Sequence, residues 1–583
     1  MQIVPHFKHF FNANFRSNKA SISILLIVTV MVVASLNALQ AQSVFSAKDK
    51  VTTIIYATSV NGKTNPEQNR TFVITNEDKT LVTKEKDMKG KTEFPFEFYC
   101  IDRKTNNQLL YAVLNPETVI HTIDSNAISG QKWDFQEGSK VILGYTCKKA
   151  TTVINSNLYE VWYTKEAKIK AAPTILGQDL GLVLEVIRNG NSATTAIEIN
   201  KGNASLPPSY STAAVRAIDV LTYRDRIWKS RFTTIPVFSN QRINFSDTAS
   251  TTEGVLRFAH GTIVLKKIHF PQLKAAKNIF VDLRERSSGD AYDRTGTVFM
   301  IPEDKKTSFL DGLKSGVQAM PVFENGNGKK YYGVVATPDF SPALELMRFF
   351  TPFGIGQYNY LKLKDKDWHN DVFYRQDITA YSQQLDGKDV YIGVFIGNYD
   401  KGGHIIDLNI TIHDGGEASR IPTKVIPLFN TLNIMEMAGQ DYGTMFDSDN
   451  GLIVNFELTD TVRNASLRYI TTGHGGWGNG DEFVPKVNTI EVDGKEVWKT
   501  IPWKEDCGSY RLYNPASGNF GDGLSSSDFS RSNWCPGTVT NPFLIPLGDI
   551  LPGKHTLKVK IPQGTPEGSS FSSWNVSGVL TGN

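Results

Sequence analysis

Short runs in which apolar and polar residues alternate recur along most of the chain. They are rich in Val, Ile, Thr and aromatic residues, and Asn, Gly and Asp separate them. This is the pattern of half-buried β-strands joined by tight turns. Such closely spaced strands predict an all-β protein built from antiparallel sandwich or jelly-roll domains. In the N-terminal part the clearest runs are residues 52–59, 70–76, 96–103, 140–153 and 158–169.

The pattern predicts three β-rich domains after a leader. In the leader, residues 1–41, basic residues precede an apolar run from Ser23 to Leu36, which is short for a membrane span and typical of a signal peptide. We expect cleavage after Ala41; an uncleaved N-terminal anchor is the alternative. The predicted domains are an accessory β-rich domain at 42–240, a first jelly roll at 241–415 and a second jelly roll at 416–583.

One stretch of the accessory domain departs from the strand pattern. After a loop rich in Pro and Ser, residues Ala213 to Leu221 have helical spacing. We predict a helix there, shortly before the domain boundary near residue 240.

Composition narrows the classes of function. The chain has 583 residues, of which 40% are hydrophobic and 21% charged, as in ordinary globular proteins with buried cores. The net charge of +3 is close to neutral for this length and argues against a nucleic-acid partner. No apolar stretch of membrane length follows the leader. We therefore expect an exported monomer, secreted or periplasmic, without stable membrane insertion.

The chain has four cysteines, Cys100, Cys147, Cys507 and Cys535. An even count in an exported protein suggests disulfides, and the separation along the chain favours the local pairs Cys100–Cys147 and Cys507–Cys535. The second bridge could stabilise the fold by ~3 kcal/mol. A metal site is the weaker alternative, because the sequence has no CxxC motif and no histidine pair at ligand spacing.

Several catalytic chemistries lack their motifs. The sequence has no HExxH, no HxH pair after the leader, no GxSxG elbow and no Walker A loop. We expect neither a metal nor another cofactor, and a copper monooxygenase on a double jelly roll would lack its histidines. Carboxylates in loops beside aromatic residues remain. Five of the nine tryptophans lie in the last predicted domain, where a loop tryptophan belongs either to a core or to a surface that stacks on sugar rings.

The loop from His474 to Val487 is the clearest example. It combines four glycines with Trp477 and the adjacent acids Asp481 and Glu482. Glycine lets a backbone take unusual angles or approach a ligand closely. The loop is therefore either a flexible turn with solvated acids or one wall of a pocket with a stacking ring and a working carboxylate.

Two motifs in the last 340 residues resemble the bacterial peptide:N-glycanase F (PNGase F) family, glycoamidases that remove asparagine-linked glycans. The first is Tyr292-Asp293-Arg294, which runs into a predicted strand. The second is spread over four places, which are Gly476-Trp477-Gly478, Glu482-Phe483, Asn488-Thr489-Ile490, and Arg531 with the downstream Trp534-Cys535-Pro536-Gly537. Their order, spacing and position in the chain agree with the family.

The resemblance implies a fold and a set of roles. The family's fold is two antiparallel jelly rolls packed side by side with the site between them. Asp293 would act at the bond between the sugar and the amide nitrogen, and Glu482 would work through a bound water. Asp481 is expected to lie exposed beside it. The implied substrate contacts are Arg294 and Arg531, which would hold the acids and the first sugars, and Trp477 and Trp534, which would line the cleft.

The family has a third acid on a strand of the first jelly roll, in a Tyr-x-Glu-x-Trp pattern. Matching the aromatic residues puts Phe395 and Tyr399 on the flanking positions and Gly397 at the acid; an ungapped match would put Phe395 there. The resemblance implies that Gly397 opens space near the innermost sugar. Family members of that kind accept glycans with a core α1,3-linked fucose. This sequence lacks the cysteines that would form two of the family's disulfides.

The accessory domain resembles the GLPGLI family of exported β-rich proteins. The resemblance implies a structural or binding module and brings no enzyme chemistry with it. GQDLGLVL stands where that family has GLPGLIL. The likeness lies in GYTCKKATT (144–152), YEVWYTKEAKI (159–169) and PTILGQDLGLVLEV (173–186).

Two hypotheses of function follow. The first is a secreted glycoamidase that acts on N-glycoproteins and glycopeptides and hydrolyses the amide bond between asparagine and the innermost N-acetylglucosamine. The second is a non-catalytic glycan-binding surface protein on the same scaffold. The pair Asp293 and Glu482 favours the first, because a binding protein has no need of two such acids.

Overall fold

The structure is a computed structural model. It describes residues 42–64, 70–91, 93–207, 210–212, 216–252, 254–273, 277–358, 363–415, 421–431, 443–475, 480–515, 526–564 and 572–583. The leader predicted at 1–41 and Trp477 lie outside this part of the chain. Contacts divide the chain into a first unit up to Arg231 and a second unit from Phe232 to Asn583.

The first unit is built mainly from antiparallel strands. They are β1 Gln42–Ser43, β2 Lys50–Val60, β3 Lys63–Thr64, β4 Thr71–Thr75, β5 Lys79–Lys84, β6 Phe96–Asp102, β7 Asn107–Asn115, β8 Thr118–Asp124, β9 Asp134–Ile142, β10 Tyr145–Ile154, β11 Asn157–Thr164, β12 Leu182–Arg188, β13 Ser192–Asn203 and β14 Ser211–Thr212. The main sheet has the order β8-β7-β6-β5-β4-β2-β13-β12-β11-β10-β9, with β3 beside β2, while β1 pairs with β14. Apolar side chains such as Ile54 and Val73, on neighbouring strands, fill its core.

The first unit also contains helices α1 Glu85–Met88 and α2 Val220–Lys229. The helix predicted at 213–221 is wrong in position; of that stretch, residues 213–215 lie outside the described part. The helix begins at Val220 because the side chain of Asp219 accepts a hydrogen bond from Thr222 N–H at 3.0 Å, which caps its first turn. Tyr223 and Ile227, four residues apart, are its buried positions.

The predicted bridge between Cys100 and Cys147 is absent, and both thiols are free and buried. Cys100 lies on β6 and Cys147 on β10, and six strands separate β6 from β10 along the described strand order. Spacing along the chain does not predict this pairing, because the order of strands in the sheet places Cys100 and Cys147 in different hydrophobic clusters. Burial raises the pKa of both thiols, which disfavours their reactive thiolate forms.

The second unit begins with a β-sandwich. Its strands are β15 Phe232–Ile243, β16 Leu256–Phe258, β17 Ile263–His269, β18 Lys277–Ser287, β19 Thr295–Ile301, β20 Val322–Phe323, β21 Tyr331–Tyr332, β22 Leu344–Phe350, β23 Val372–Asp377, β24 Asp389–Ile396 and β25 His404–Asp414. Helices α3 Phe309–Ser315, α4 Ile355–Tyr358 and α5 Ser382–Leu385 lie in the connections. The sheet β15-β25-β18-β23 shares a core with β16-β17-β24-β19-β22.

A second β-sandwich follows. Its strands are β26 Lys424–Asn430, β27 Leu452–Leu458, β28 Val462–His474, β29 Asn488–Val492, β30 Lys495–Thr500, β32 Phe543–Ile550, β33 Gly553–Lys560 and β34 Ser573–Gly582. The sheets β26-β34-β28-β32 and β27-β33-β29-β30 enclose the core. The short strand β31, Val539–Thr540, instead pairs with β22 of the first sandwich.

Strand β22 explains why the two sandwiches form one unit. All seven of its residues are buried, since one face packs in the first core and the other meets the second sandwich. On the latter face, Arg348 donates to Asn575 O at 2.6 Å and to Thr472 Oγ1 at 3.1 Å. Polar contacts between buried groups therefore join the sandwiches.

Strand β15 fixes where the second unit starts. It pairs with β25 from Phe232↔His413 to Ile243↔His404. The boundary predicted near residue 240 thus falls inside a strand, and the contacts place the division after Arg231. The prediction of an all-β protein with tandem β-sandwich jelly rolls is confirmed.

Candidate active site

One guanidinium joins the two acids predicted from the sequence. Arg531 Nη1 donates to Glu482 Oε1, and Arg531 Nη2 lies 3.3 Å from Asp293 Oδ2. Asp293 comes from the loop before β19 in the first sandwich, and Glu482 from the loop after β28 in the second. The fold therefore brings together side chains that lie almost two hundred residues apart in the chain.

Arg531 is held from several sides. Its backbone N–H and C=O both bond to Lys504, at 2.9 and 2.8 Å, and Nη2 donates to Ser526 O at 2.5 Å. The disulfide Cys507–Cys535, which the sequence predicts, closes the segment that carries it. Its guanidinium carbon lies 4.3 Å from the ring centroid of Trp534. The buried charge is thus fixed in place before any substrate arrives.

The position of Trp534 corrects the prediction that this ring lines the cleft. The side chain is only 3% exposed. It stacks on Phe350, with ring centroids 4.2 Å apart, and its Nε1 donates to Gly473 O at 2.9 Å. Because the ring packs against Arg531 and away from solvent, it supports the guanidinium and offers no open face to a sugar.

The two acids are enclosed yet reachable. The side chains of Asp293 and Glu482 are 15% and 17% exposed. Burial raises the pKa of Asp293, Arg531 opposes this, and the charge of Glu482 adds to it, so that the pKa reaches about 7. Burial also raises the pKa of Glu482, against the opposing effect of Arg531. One guanidinium compensates one carboxylate, so the pair retains a proton near neutral pH.

Asp481 is buried, so the prediction that it lies exposed at the loop is wrong. None of its surface is accessible. Its Oδ1 accepts a hydrogen bond from Gly564 N–H at 2.8 Å, and its carbonyl accepts one from the hydroxyl of Ser532. Burial raises its pKa to about 6. Asp481 therefore anchors the loop that presents Glu482.

Arg294 lies beside Asp293 in sequence but pairs with a different acid. Its Nε donates to Asp290 Oδ2 at 2.7 Å and its Nη2 to Asp290 Oδ1 at 3.0 Å. The guanidinium also lies over the exposed ring of Tyr292, 5.2 Å from its centroid. The sequence pattern did not single out Asp290; its one signal is the four-residue spacing before Arg294. Asp290 in turn contacts His404, which carries no motif at all.

Gly397 follows the last residue of β24. Its N–H donates at 3.0 Å to the carbonyl of Thr295, two residues after Asp293. A Cβ atom at this position would lie 3.3 Å from Phe395 Cζ and 3.7 Å from Thr295 O. A side chain here would therefore stand near the Asp293 loop, and its Cβ would require the ring of Phe395 to shift by a few tenths of an ångström. That Gly397 replaces a third acid stays a prediction, as does the stacking role of Trp477.

The arrangement suits acid–base chemistry at a polar bond. A carboxyl that keeps its proton and a second carboxyl beside a fixed cation can donate and accept a proton on opposite sides of one reacting group. Within the described ranges, no cluster of three His, Cys, Asp or Glu side chains could hold a metal ion. Fold and site together define a double-sandwich protein with an arginine-bridged carboxylate pair.

Comparison with known proteins places the chain in a family. The family model described as "Peptide-N-glycosidase F, N terminal" matches residues 234–412, and "Peptide-N-glycosidase F, C terminal" matches residues 441–581. "N-glycanase peptide, N-terminal domain" matches residues 54–225. No curated protein matches the chain. The chain belongs to the peptide-N-glycosidase F family, in the form with an extra N-terminal domain.

Solved structures of PNGF-II are similar over almost the whole chain. One, in space group C2, is 54% identical, covers 92% of this chain and 98% of its own, and has a TM-score of 0.87. Another, in space group P21, is 55% identical, covers 92% and 99%, and has the same TM-score. The likeness of residues 144–186 to the GLPGLI family stays a prediction.

Proposed function

We propose that this protein is a glycoamidase that cleaves the amide bond between asparagine and the innermost N-acetylglucosamine of N-linked glycans. The observation that carries the proposal is the contact of one buried guanidinium, Arg531, with Asp293 and Glu482. Membership of the peptide-N-glycosidase F family supports the substrate class. Water adds to the amide carbonyl, the C–N bond breaks, and asparagine becomes aspartate while the sugar leaves as a glycosylamine.

The two acids divide the work by their surroundings. Glu482 bonds directly to Arg531, whose charge opposes the rise in pKa that burial causes, so we assign to Glu482 the role of accepting a proton from the attacking water. Asp293, whose pKa is raised to about 7, keeps its proton and donates it to the amide nitrogen as the bond breaks. Arg531 stays charged throughout and limits the build-up of negative charge between the acids.

The test is mass spectrometry of a defined N-glycopeptide after incubation with the enzyme. We expect conversion of the linked asparagine to aspartate, and loss of that conversion in Asp293→Asn and in Glu482→Gln. Asp389→Asn and Glu491→Gln are matched controls, because these acids pair with His269 and Lys560 outside the site. Binding of the glycopeptide without conversion would reject the enzyme and favour a glycan-binding protein.

We also propose that the site tolerates a core α1,3-linked fucose. The support is Gly397, which places no side chain beside the Asp293 loop. Gly397→Glu should reduce cleavage of α1,3-fucosylated glycopeptides more than cleavage of unfucosylated ones, whereas Gly397→Ala, which adds one carbon, should leave the ratio nearly unchanged. Wild-type enzyme that leaves fucosylated glycopeptides intact would contradict the proposal.

We further propose that the protein is exported. The composition of residues 1–41 and the disulfide Cys507–Cys535 support this, since disulfides persist in oxidising compartments. No helix in the described part of the chain is long and apolar enough to cross a membrane. Sequencing the mature N-terminus tests the cleavage expected after Ala41. Monomeric state and the lack of a nucleic-acid partner stay predictions.

A further inference from the structure

A buried cluster of charges lies behind the loop that carries Asp293. It consists of Glu285 on β18, His404 at the start of β25, and Asp290 in the loop before β19. His404 and Glu285 have no accessible surface, and Asp290 has 2%. His404 Nδ1 lies 2.7 Å from Glu285 Oε1, and its Nε2 lies 3.4 Å from Asp290 Oδ2.

These positions require a charged imidazole. A neutral histidine can donate from only one ring nitrogen, and here a carboxylate oxygen faces each of them. Burial alone would lower the pKa of His404, but the hydrogen bonds with Asp290 and Glu285 outweigh it and raise the pKa to about 9. Two other groups lie near the cluster, the guanidinium of Arg294 and the hydroxyl of Tyr374 on β23. Burial and the charge of Glu285 raise the pKa of Tyr374, so its hydroxyl stays neutral. Two cations thus face two carboxylates.

Asp290 transmits this contact to the site. The oxygen that faces His404 also accepts from Arg294 Nε, and the other accepts from Arg294 Nη2 and from Tyr292 N–H, the last at 3.1 Å. Ser287 Oγ donates to Asp290 O at 2.5 Å. The loop from 290 to 294 is therefore folded around one carboxylate. Asp293 lies within this loop, and the charge of Arg294 acts on it.

We propose that His404 is a positioning residue for the catalytic acid: as an imidazolium it fixes Asp290, which orients Arg294 and holds Asp293 in register with Arg531. Glu285 favours the charged form of the His404 ring and fixes its orientation through the contact with Nδ1. His404 touches no reacting atom. The inference rests on the proposed glycoamidase function and goes beyond it by naming a residue outside the cleft that the reaction needs.

The test compares the pH dependence of kcat/KM in two variants with opposite effects on charge. His404→Gln removes a positive charge behind the loop, so Asp293 should hold its proton more tightly and the alkaline limb should move to higher pH. Glu285→Gln removes a negative charge, so the limb should move to lower pH. Each shift should be about half a pH unit, as expected for a charge acting across a partly screened distance. In addition, kcat should fall about tenfold in His404→Gln with KM changed less than twofold.

A second measurement separates positioning from mere folding. If His404 acts through Asp290, then Asp290→Asn and the double variant Asp290→Asn/His404→Gln should have similar kcat values, because the loss of His404 removes a link that is already broken. His555→Gln is the matched control, since His555 pairs with Asp493 at 2.8 Å away from the site. All variants are compared per folded molecule, from circular dichroism and thermal melting.

Three outcomes decide the question. Opposite shifts of the limb with non-additive kcat values support the proposal. Unshifted limbs, or kcat losses that only follow the folded fraction, overturn it. If wild-type enzyme fails to convert the glycopeptide, the proposed function fails by itself, and ¹⁵N NMR of His404 then decides the relay. A neutral ring at pH 7 overturns it, and a pKa of His404 that is unchanged in Glu285→Gln overturns the role of Glu285.

Discussion

Replacing Arg348 by methionine should destabilise the second unit strongly. Arg348 is fully buried and donates to both oxygens of Glu345, at 3.0 and 2.8 Å, as well as to Asn575 and Thr472 of the other sandwich. Glu345 is 1% exposed, so the substitution strands a carboxylate in the interior. Breaking a buried pair in this way costs about 3–5 kcal/mol, because one charge loses its compensation.

Removing both charges should cost much less. In Glu345→Gln with Arg348→Met, the amide still bonds to the hydroxyls of Thr297 and Ser577, which contact Glu345 in the native protein. We expect the double variant to recover about 2 kcal/mol relative to Arg348→Met. Arg284→Met is the surface control, since its pair with Asp371 is half exposed and should contribute less than about 1 kcal/mol.

Urea titration of the full chain, followed by tryptophan fluorescence and near-UV circular dichroism, measures these differences. Only the transition of the second unit should move, because both residues lie in it. An Arg348→Met variant as stable as Arg284→Met would refute the assigned role of the pair. A double variant no more stable than Arg348→Met would refute the stranded charge as the cause.

Three further predictions concern the site and its supports. The kcat/KM of glycopeptide cleavage should fall as pH rises through about 7, where Asp293 loses its proton, and should also fall at acid pH, where Glu482 gains a proton. A flat profile of kcat/KM from pH 6 to 9 would contradict the proposed division of roles between the two acids. Reducing agent should lower the urea midpoint of the wild-type protein by the equivalent of about 3.5 kcal/mol, because the bridge closes a loop of 28 residues. The urea midpoint of Cys507→Ala/Cys535→Ala, which has no bridge to reduce, should not change. The pKa of Asp481 is raised to about 6, so its favourable contribution to folding stability is present at acid pH and is lost as pH rises through 6. Asp481→Asn should therefore stabilise the fold at pH 8 by up to about 3 kcal/mol and have little effect on stability at pH 4.

The hydrophobic pattern could predict strands such as β6, because alternation reflects one buried and one more exposed face, as in its first five residues, where Phe96, Phe98 and Cys100 are buried. It could not predict which strands become neighbours, and the missing Cys100–Cys147 bridge is the consequence. Motif matching located Asp293, Glu482 and Arg531, which touch in the structure. It could not predict that Trp534 is buried, because a tryptophan in a loop rich in polar residues is compatible with either environment.

The supporting residues were invisible for a different reason. The proposed roles of His404 and Asp290 depend on contacts that the topology creates, since β25 pairs with β18 and His404, at its start, contacts Asp290. A lone histidine at a strand start carries no signal in a single sequence. The same holds for Asp481, whose burial depends on Gly564, more than eighty residues away.

The arrangement of charge around the cleft supports the unequal roles proposed for the two acids. His474 lies against the ring of Trp534, and burial together with the charges of Arg348 and Arg531 lowers its pKa to about 3, so it adds no positive charge. Arg531 therefore remains the cation that both Asp293 and Glu482 contact. It compensates one of them, and the direct hydrogen bond selects Glu482. In the proposed mechanism Asp293 then keeps the proton that the amide nitrogen needs, since a second cation from His474 would have allowed both acids to ionise.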